Sequence, residues 1–202
     1  MTKIVVYVID TLADWELGYV LPGLAMANGM HERFEVVTAG TSTDPVTTKG
    51  GLTVVPSTSP ADTDATDVDM LIIPGADTWA EGHDEVLALA SDLVAAGKPV
   101  AAICGATLGL ARAGLLDDRP HTSNAPDFLA SNPNYCGADH YQVAKVVSDG
   151  TVITAPATAP LDFARAVFER LAAFPAPVLE AWYGLYTTGE RRYYDALVGG
   201  GH

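Results

Sequence analysis

The chain has 202 residues, 49% of them hydrophobic and 18% charged, so it can bury a sizeable core and does not read as an unfolded segment. Eleven basic against 25 acidic residues give a formal charge of -14 with no Lys/Arg cluster to offset it, which argues against nucleic acid or an anionic membrane as partner. Two cysteines without paired spacing argue against a disulfide framework and a zinc site.

In chain order, the unbroken apolar run Ile4 to Ile9 predicts a strand buried on both faces. Thr11-Leu-Ala-Asp14 resembles a capping box opening a helix through Met30, with Pro22 kinking it. Phe34 to Thr38 is a second strand, and Thr47 to Pro56 alternates around Gly50-Gly51 as a small hairpin would. Pro60 to Asp67 is a polar loop, and Asp69 to Gly75 is a core strand that ends in a turn. Glu85 to Ala96 has helical spacing and is closed by Gly97 and Pro99.

Val100 to Ile103 is a short strand that runs straight into a helix carrying Leu108, Leu110 and Ala111, ended by Gly114. Val143 to Val147 and Val152 to Thr154 pair around Ser148-Asp149-Gly150, and Ala159 to Phe174 places Leu161, Ala164, Phe168 and Leu171 on one helix face. After Pro175-Ala-Pro177, an aromatic-rich stretch from Val178 to Leu197 reads as a helical tail, folded back on the domain or onto a partner chain, before a frayed Gly-Gly-Gly-His end. This order predicts an α/β fold with a mostly parallel sheet and helices on both faces. Residues 1–174 form the main domain and 175–202 a helical extension. The opening Met-Thr-Lys enters the first strand with no signal-peptide pattern, and no apolar run is long enough to span a bilayer, so a cytoplasmic location is expected.

Parallel sheets bind ligands beyond the carboxyl ends of their strands, and three segments deliver candidates to that edge. Cys104 sits at the strand-to-helix turn, flanked by small Ala102, Gly105 and Ala106 as a nucleophile elbow requires. A helix N-terminus there would stabilise the thiolate; the competing reading is a buried core cysteine. Glu16 follows the first strand in a first helical turn; pressed against sulfur it would tend to hold its proton and act as donor or general acid. Its bland alternative is an ordinary acid favoured by the helix dipole. Gly75, Ala76 and Gly105 offer backbone N–H groups for an oxyanion hole, although Pro-Gly also marks plain turns.

Asp14 is a further candidate for the pocket. Of the five histidines, His140 beside Asp139 is the first candidate base and His121 the second, each competing with a simple loop role. No H-x-x-x-H or H-E-x-x-H spacing supports a metal, no G-x-G-x-x-G follows a strand, and Cys136 reads as structural, so no metal or cofactor is expected.

Together these segments resemble the ThiJ/PfpI family of the class I glutamine amidotransferase-like superfamily. The resemblance rests on Lys3 to Asp10, Asp14-Trp-Glu-Leu17, Leu71-Ile-Ile-Pro-Gly75, Val100-Ala-Ala-Ile-Cys-Gly105, Ala113-Gly-Leu-Leu116, Asp149-Gly-Thr-Val-Ile-Thr154 and Leu161-Asp-Phe-Ala164. It implies a flavodoxin-like three-layer sandwich, Cys104 as the reactive cysteine, Glu16 as its carboxylic partner, Ala76 and Gly105 at the oxyanion hole, and a homodimer. The chain departs from the family where peptidase-like members place His directly after the cysteine, since Gly105 stands there. It departs again at Asn124, near the place of a family His or Tyr before Pro126. Ala155 to Asp162 lacks the His-x-Glu pair of true glutamine amidotransferases, so glutamine hydrolysis is not expected. The resulting expectation is a cysteine-dependent hydrolase or glyoxalase/deglycase-like lyase acting on a small carbonyl compound. The alternatives are a redox or stress-response protein acting through oxidation of Cys104, and a scaffold with an inert cysteine.

Overall fold

The computed structural model describes residues 1–199; of the Gly199 to His202 end expected to fray, Gly199 is the last residue of a helix and the other three lie outside the described residues. The elements run β1 (Thr2–Tyr7), α1 (Asp14–Leu17), α2 (Val20–Met30), β2 (Phe34–Ala39), β3 (Val46–Thr47), β4 (Thr53–Val54), β5 (Met70–Ile73) and α3 (Asp84–Ala95). They continue with β6 (Val100–Ile103), α4 (Ala106–Arg112), α5 (Pro126–Ala130), β7 (Val147–Ser148), β8 (Val152–Ala155), α6 (Pro160–Leu171), α7 (Ala176–Thr188) and α8 (Arg191–Gly199).

The main sheet has the order β2-β1-β5-β6-β8-β7, parallel throughout except for the edge strand β7. Counting the parallel strands alone, this is the 2-1-3-4-5 order of flavodoxin-like folds, and the order reverses between β1 and β5. β5 and β6 are buried at every position, as strands covered by helices on both faces must be. On one side α2 packs against α6, with Gly23 admitting the Phe168 ring, while α3 packs on β5 and β6. No helix among the described residues is long and apolar enough to cross a membrane.

Local departures from the sequence expectation have identifiable causes. The single helix from Thr11 to Met30 is two helices broken at Gly18-Tyr19, so Pro22 kinks nothing; it sits in the first turn of α2, where its missing N–H is no loss. Thr11 does not cap: it has a left-handed φ of 63°, and its hydroxyl accepts from the Asp77 N–H at 2.9 Å. The strand expected from Val143 shortens to β7, leaving Val143 94% exposed. The core face of α6 is Phe163, Ala164, Val167 and Phe168, with Leu161 and Leu171 at its margin.

The tail folds back on the domain. Trp182 of α7 is 2% exposed, with its ring 5.0 Å from that of Phe168, and Leu179 joins the same core. Tyr183 donates to Asp162 at 2.7 Å and lies under the Arg165 guanidinium, which also pairs with Glu180.

Candidate active site

Three loops meet above the point where the strand order reverses. Cys104 is held by its N–H bond to the Ala155 carbonyl at 2.9 Å, and Thr107 caps the Cys104 carbonyl at 2.6 Å. Its φ of 59° is left-handed, a conformation that costs a non-glycine residue about 1–3 kcal/mol and that recurs at functional sites. The turn lifts Sγ out of the sheet while β6 below it stays fully buried.

Glu16 arrives from β1. The Ala13 N–H donates to the Gly75 carbonyl at 2.9 Å and so lays α1 across the end of β5. Glu16 is 0% exposed; Oε2 accepts from the Gly75 N–H at 2.6 Å, while Oε1 is buried with no hydrogen-bond partner among the described residues. Burial pushes its carboxyl up to about 7, against the opposing Gly75 hydrogen bond and the proximity of the Cys104 thiol and Lys49. Gly75 lies between the two groups: a Cβ there would stand 2.7 Å from Cys104 Cβ and 2.9 Å from both Sγ and Glu16 Oε2. The glycine therefore serves the close approach of acid and thiol. Its N–H is committed to Glu16, which removes Gly75 from the oxyanion donors expected from the sequence.

Two donors remain. The Gly105 N–H faces the Cys104 sulfur, and the neighbouring Ala76 N–H has no acceptor among the described residues. Both line a cavity of about 350 Å³ that also contains Cys104, Asn124 and Phe128. Asn124 Oδ1 accepts from the Ala157 N–H at 2.9 Å, which turns its NH₂ group toward Sγ at 3.4 Å.

The thiolate expected at the start of α4 is not favoured. Burial pushes the Cys104 thiol up to about 11; Asn124 and the Gly105 N–H oppose this, and the Glu16 charge adds to it. α4 has only seven residues, and burial of the sulfur is the largest cause of the shift. Sulfur and carboxyl thus form a coupled pair in which ionisation of either site disfavours ionisation of the other.

The remaining candidates lie elsewhere. Asp14 is turned away, accepting from the Gly50 N–H at 2.6 Å, and bonds to Thr48 and Gly50 hold its carboxyl below the usual range. His140 is exposed and does not line the cavity. His121 is 0% exposed, with Nδ1 on the Arg119 carbonyl at 2.8 Å and Nε2 on the Tyr135 hydroxyl at 2.6 Å, so it holds a loop together. Cys136 is exposed and unpaired with Cys104.

Two contributors were not read from the sequence. Trp79, 2% exposed, bonds the Pro74 carbonyl at 3.1 Å and fills the flat face left by Gly105 and Gly109. The signal was that glycine pair, four apart on one helix face. Lys49, at the tip of the β3–β4 hairpin, reaches Asp77 Oδ1 at 2.7 Å on the cavity rim.

Known proteins share this fold. The model of the DJ-1/PfpI family matches residues 2–170. The chain belongs to that family. It is 38% identical over 201 residues to the uncharacterized protease YoaZ of Bacillus subtilis, covering 97% of this chain and 96% of the relative. A ThiJ/PfpI family protein from Bacillus anthracis superposes with a TM-score of 0.91 at 36% identity, over 98% of this chain and 96% of that one. A DJ-1 superfamily protein from Agrobacterium tumefaciens gives 0.83 at 35% identity, over 94% and 99%. The family model ends before α7, whereas the first two matches leave only a few residues uncovered, so the C-terminal helices are shared with these relatives.

Proposed function

We propose that this DJ-1/PfpI protein is a cysteine-dependent hydrolase or lyase acting on small carbonyl compounds. The observation that carries the reading is the close approach of the buried Glu16 carboxyl and the Cys104 thiol across Gly75, at a cavity that Cys104 and Ala76 line. A carboxyl that titrates at about 7 is matched to proton transfer at neutral pH, and it stands in for the base that Asn124 cannot supply. As Sγ bonds to the carbonyl carbon, its proton passes to Glu16 and the C=O electron pair moves to oxygen. The Ala76 and Gly105 N–H groups then hold that oxyanion. With an amide, Glu16 gives the proton to the nitrogen as the C–N bond breaks, and water then cleaves the thioester left on sulfur to release the acid and the thiol; with an aldehyde, Glu16 protonates the oxyanion to give a hemithioacetal. The name of YoaZ as a protease is consistent with such an acyl transfer. Replacing Cys104 by Ser is expected to abolish turnover of methylglyoxal and of small amides; turnover kept by that variant would refute the reading.

A second reading is favoured by the Asn124 amide, whose NH₂ is locked toward sulfur. That donor would also stabilise a sulfenate or sulfinate, formed as peroxide transfers oxygen to Sγ and leaves as water. Intact mass after mild peroxide treatment separates the two: a sulfinate on Cys104, with no turnover of aldehyde or amide, favours sensing.

A further inference from the structure

The cavity lies in a chain of formal charge -14, so the long-range field does not favour an anionic ligand, and a local cation has to do so. Lys49 is placed for it. The hairpin tip is clamped to the loop before Glu16: the Lys49 N–H donates to the Leu12 carbonyl at 2.9 Å, the Thr11 N–H to the Thr47 carbonyl at 2.8 Å, and the Gly50 N–H to Asp14 at 2.6 Å. The backbone of Lys49 is therefore fixed while its side chain, 41% exposed, stays free to swing. Its ammonium rests on Asp77, which lines the Cys104 cavity and follows the oxyanion donor Ala76. The Asp77 bond, and more weakly the charges of Cys104 and Glu16, raise the affinity of the amine for its proton.

We propose that Lys49 makes the Cys104 cavity selective for carbonyl compounds that carry a carboxylate, its ammonium bridging Asp77 and the ligand's carboxylate. This rests on the reading of Cys104 as a carbonyl-directed nucleophile and names the substrate class, 2-oxo acids being the smallest members. An ammonium has three donors, enough for both partners. An exposed ion pair is weak enough for a ligand to share. Asp77 parks the lysine at the rim when the cavity holds no ligand.

The test uses the full chain with Cys136→Ser, leaving Cys104 as the one thiol. Mass spectrometry follows its alkylation by iodoacetate, an anion, and by iodoacetamide, its neutral analogue; in each the sulfur displaces iodide and forms an S–C bond. The ratio of the two rates cancels any change in thiol ionisation. Lys49→Gln is expected to lower the iodoacetate-to-iodoacetamide ratio by about three- to tenfold at low salt. Asp77→Asn, which frees the ammonium, is expected to raise it by about two- to threefold. An unchanged ratio in Lys49→Gln overturns the proposal, including the case in which both rates fall together. Because alkylation needs no turnover, a shifted ratio in a chain inactive on every carbonyl compound would count against the catalytic reading alone.

Discussion

Glu16 costs the folded chain stability in a pH-dependent way. Its carboxyl titrates at about 7 when folded, against 4.5 ordinarily. Below the lower value both folded and unfolded chains hold the proton, and the group makes no difference. Between the two values the unfolded chain releases its proton while the folded one keeps it, so stability falls as pH rises. Above pH 7 the loss levels off at about 3 kcal/mol. Gln keeps an acceptor for the Gly75 N–H but carries no charge. Glu16→Gln is therefore expected to be more stable than the parent by about 1–3 kcal/mol at pH 8, with the gap closing toward pH 4.5, measured by urea unfolding at both pH values. The same variant should lower the apparent pKa of Cys104 alkylation, since the neighbouring carboxylate charge that helps to raise it is gone.

At the scale of elements, α4 is positioned by what its glycines leave out. A Cβ on Gly109 would stand 2.5 Å from Trp79 Cε3, within a ring plane that has no room to retreat, whereas Gly29 in α2 faces open space. Ala improves an unobstructed helix site by about 0.5–1 kcal/mol, so Gly29→Ala is expected to stabilise the chain by that amount. Gly109→Ala is expected to destabilise it by about 1–3 kcal/mol through overpacking. It should also shift the tryptophan emission and slow Cys104 alkylation, because Trp79 links α4 to the Pro74 carbonyl. Opposite signs for one chemical change, read by thermal melts, separate packing from propensity.

For the molecule as a whole, the first helix of the tail, α7, adds side chains to the core, whereas α8 buries none. Leu179 and Trp182 share one apolar cluster with Phe163 and Phe168 of α6, and Tyr19, just beyond α1, stands edge-on to Trp182 at 6.3 Å. Trp182→Ala is expected to cost about 3–5 kcal/mol in urea unfolding. A chain ending at residue 174 would expose that apolar surface and is expected to lose cooperative unfolding. The division at 174 read from Pro175-Ala-Pro177 falls where the chain turns into α7, whose Leu179 and Trp182 pack on the main domain.

The alternation of elements, the parallel sheet and the meeting of Glu16, the Pro74-Gly75-Ala76 turn and Cys104 were legible in the residues alone. Apolar runs, Gly/Pro punctuation and strand order are local signals, and topology by itself sends the carboxyl ends of parallel strands to one edge. Asp14 and Glu16, two positions apart in the same short helix, were both candidates there, Glu16 as partner of the thiol and Asp14 for the pocket; the packing of α1 on β5 buries Glu16 and turns Asp14 to the hairpin. The ionisation of Cys104, the commitment of the Gly75 N–H, the filler role of Trp79 and the reach of Lys49 were likewise decided by tertiary structure. Each depends on partners far away in the chain, 59 positions for Gly75 and Glu16, and proton affinity follows from surroundings that folding alone assembles.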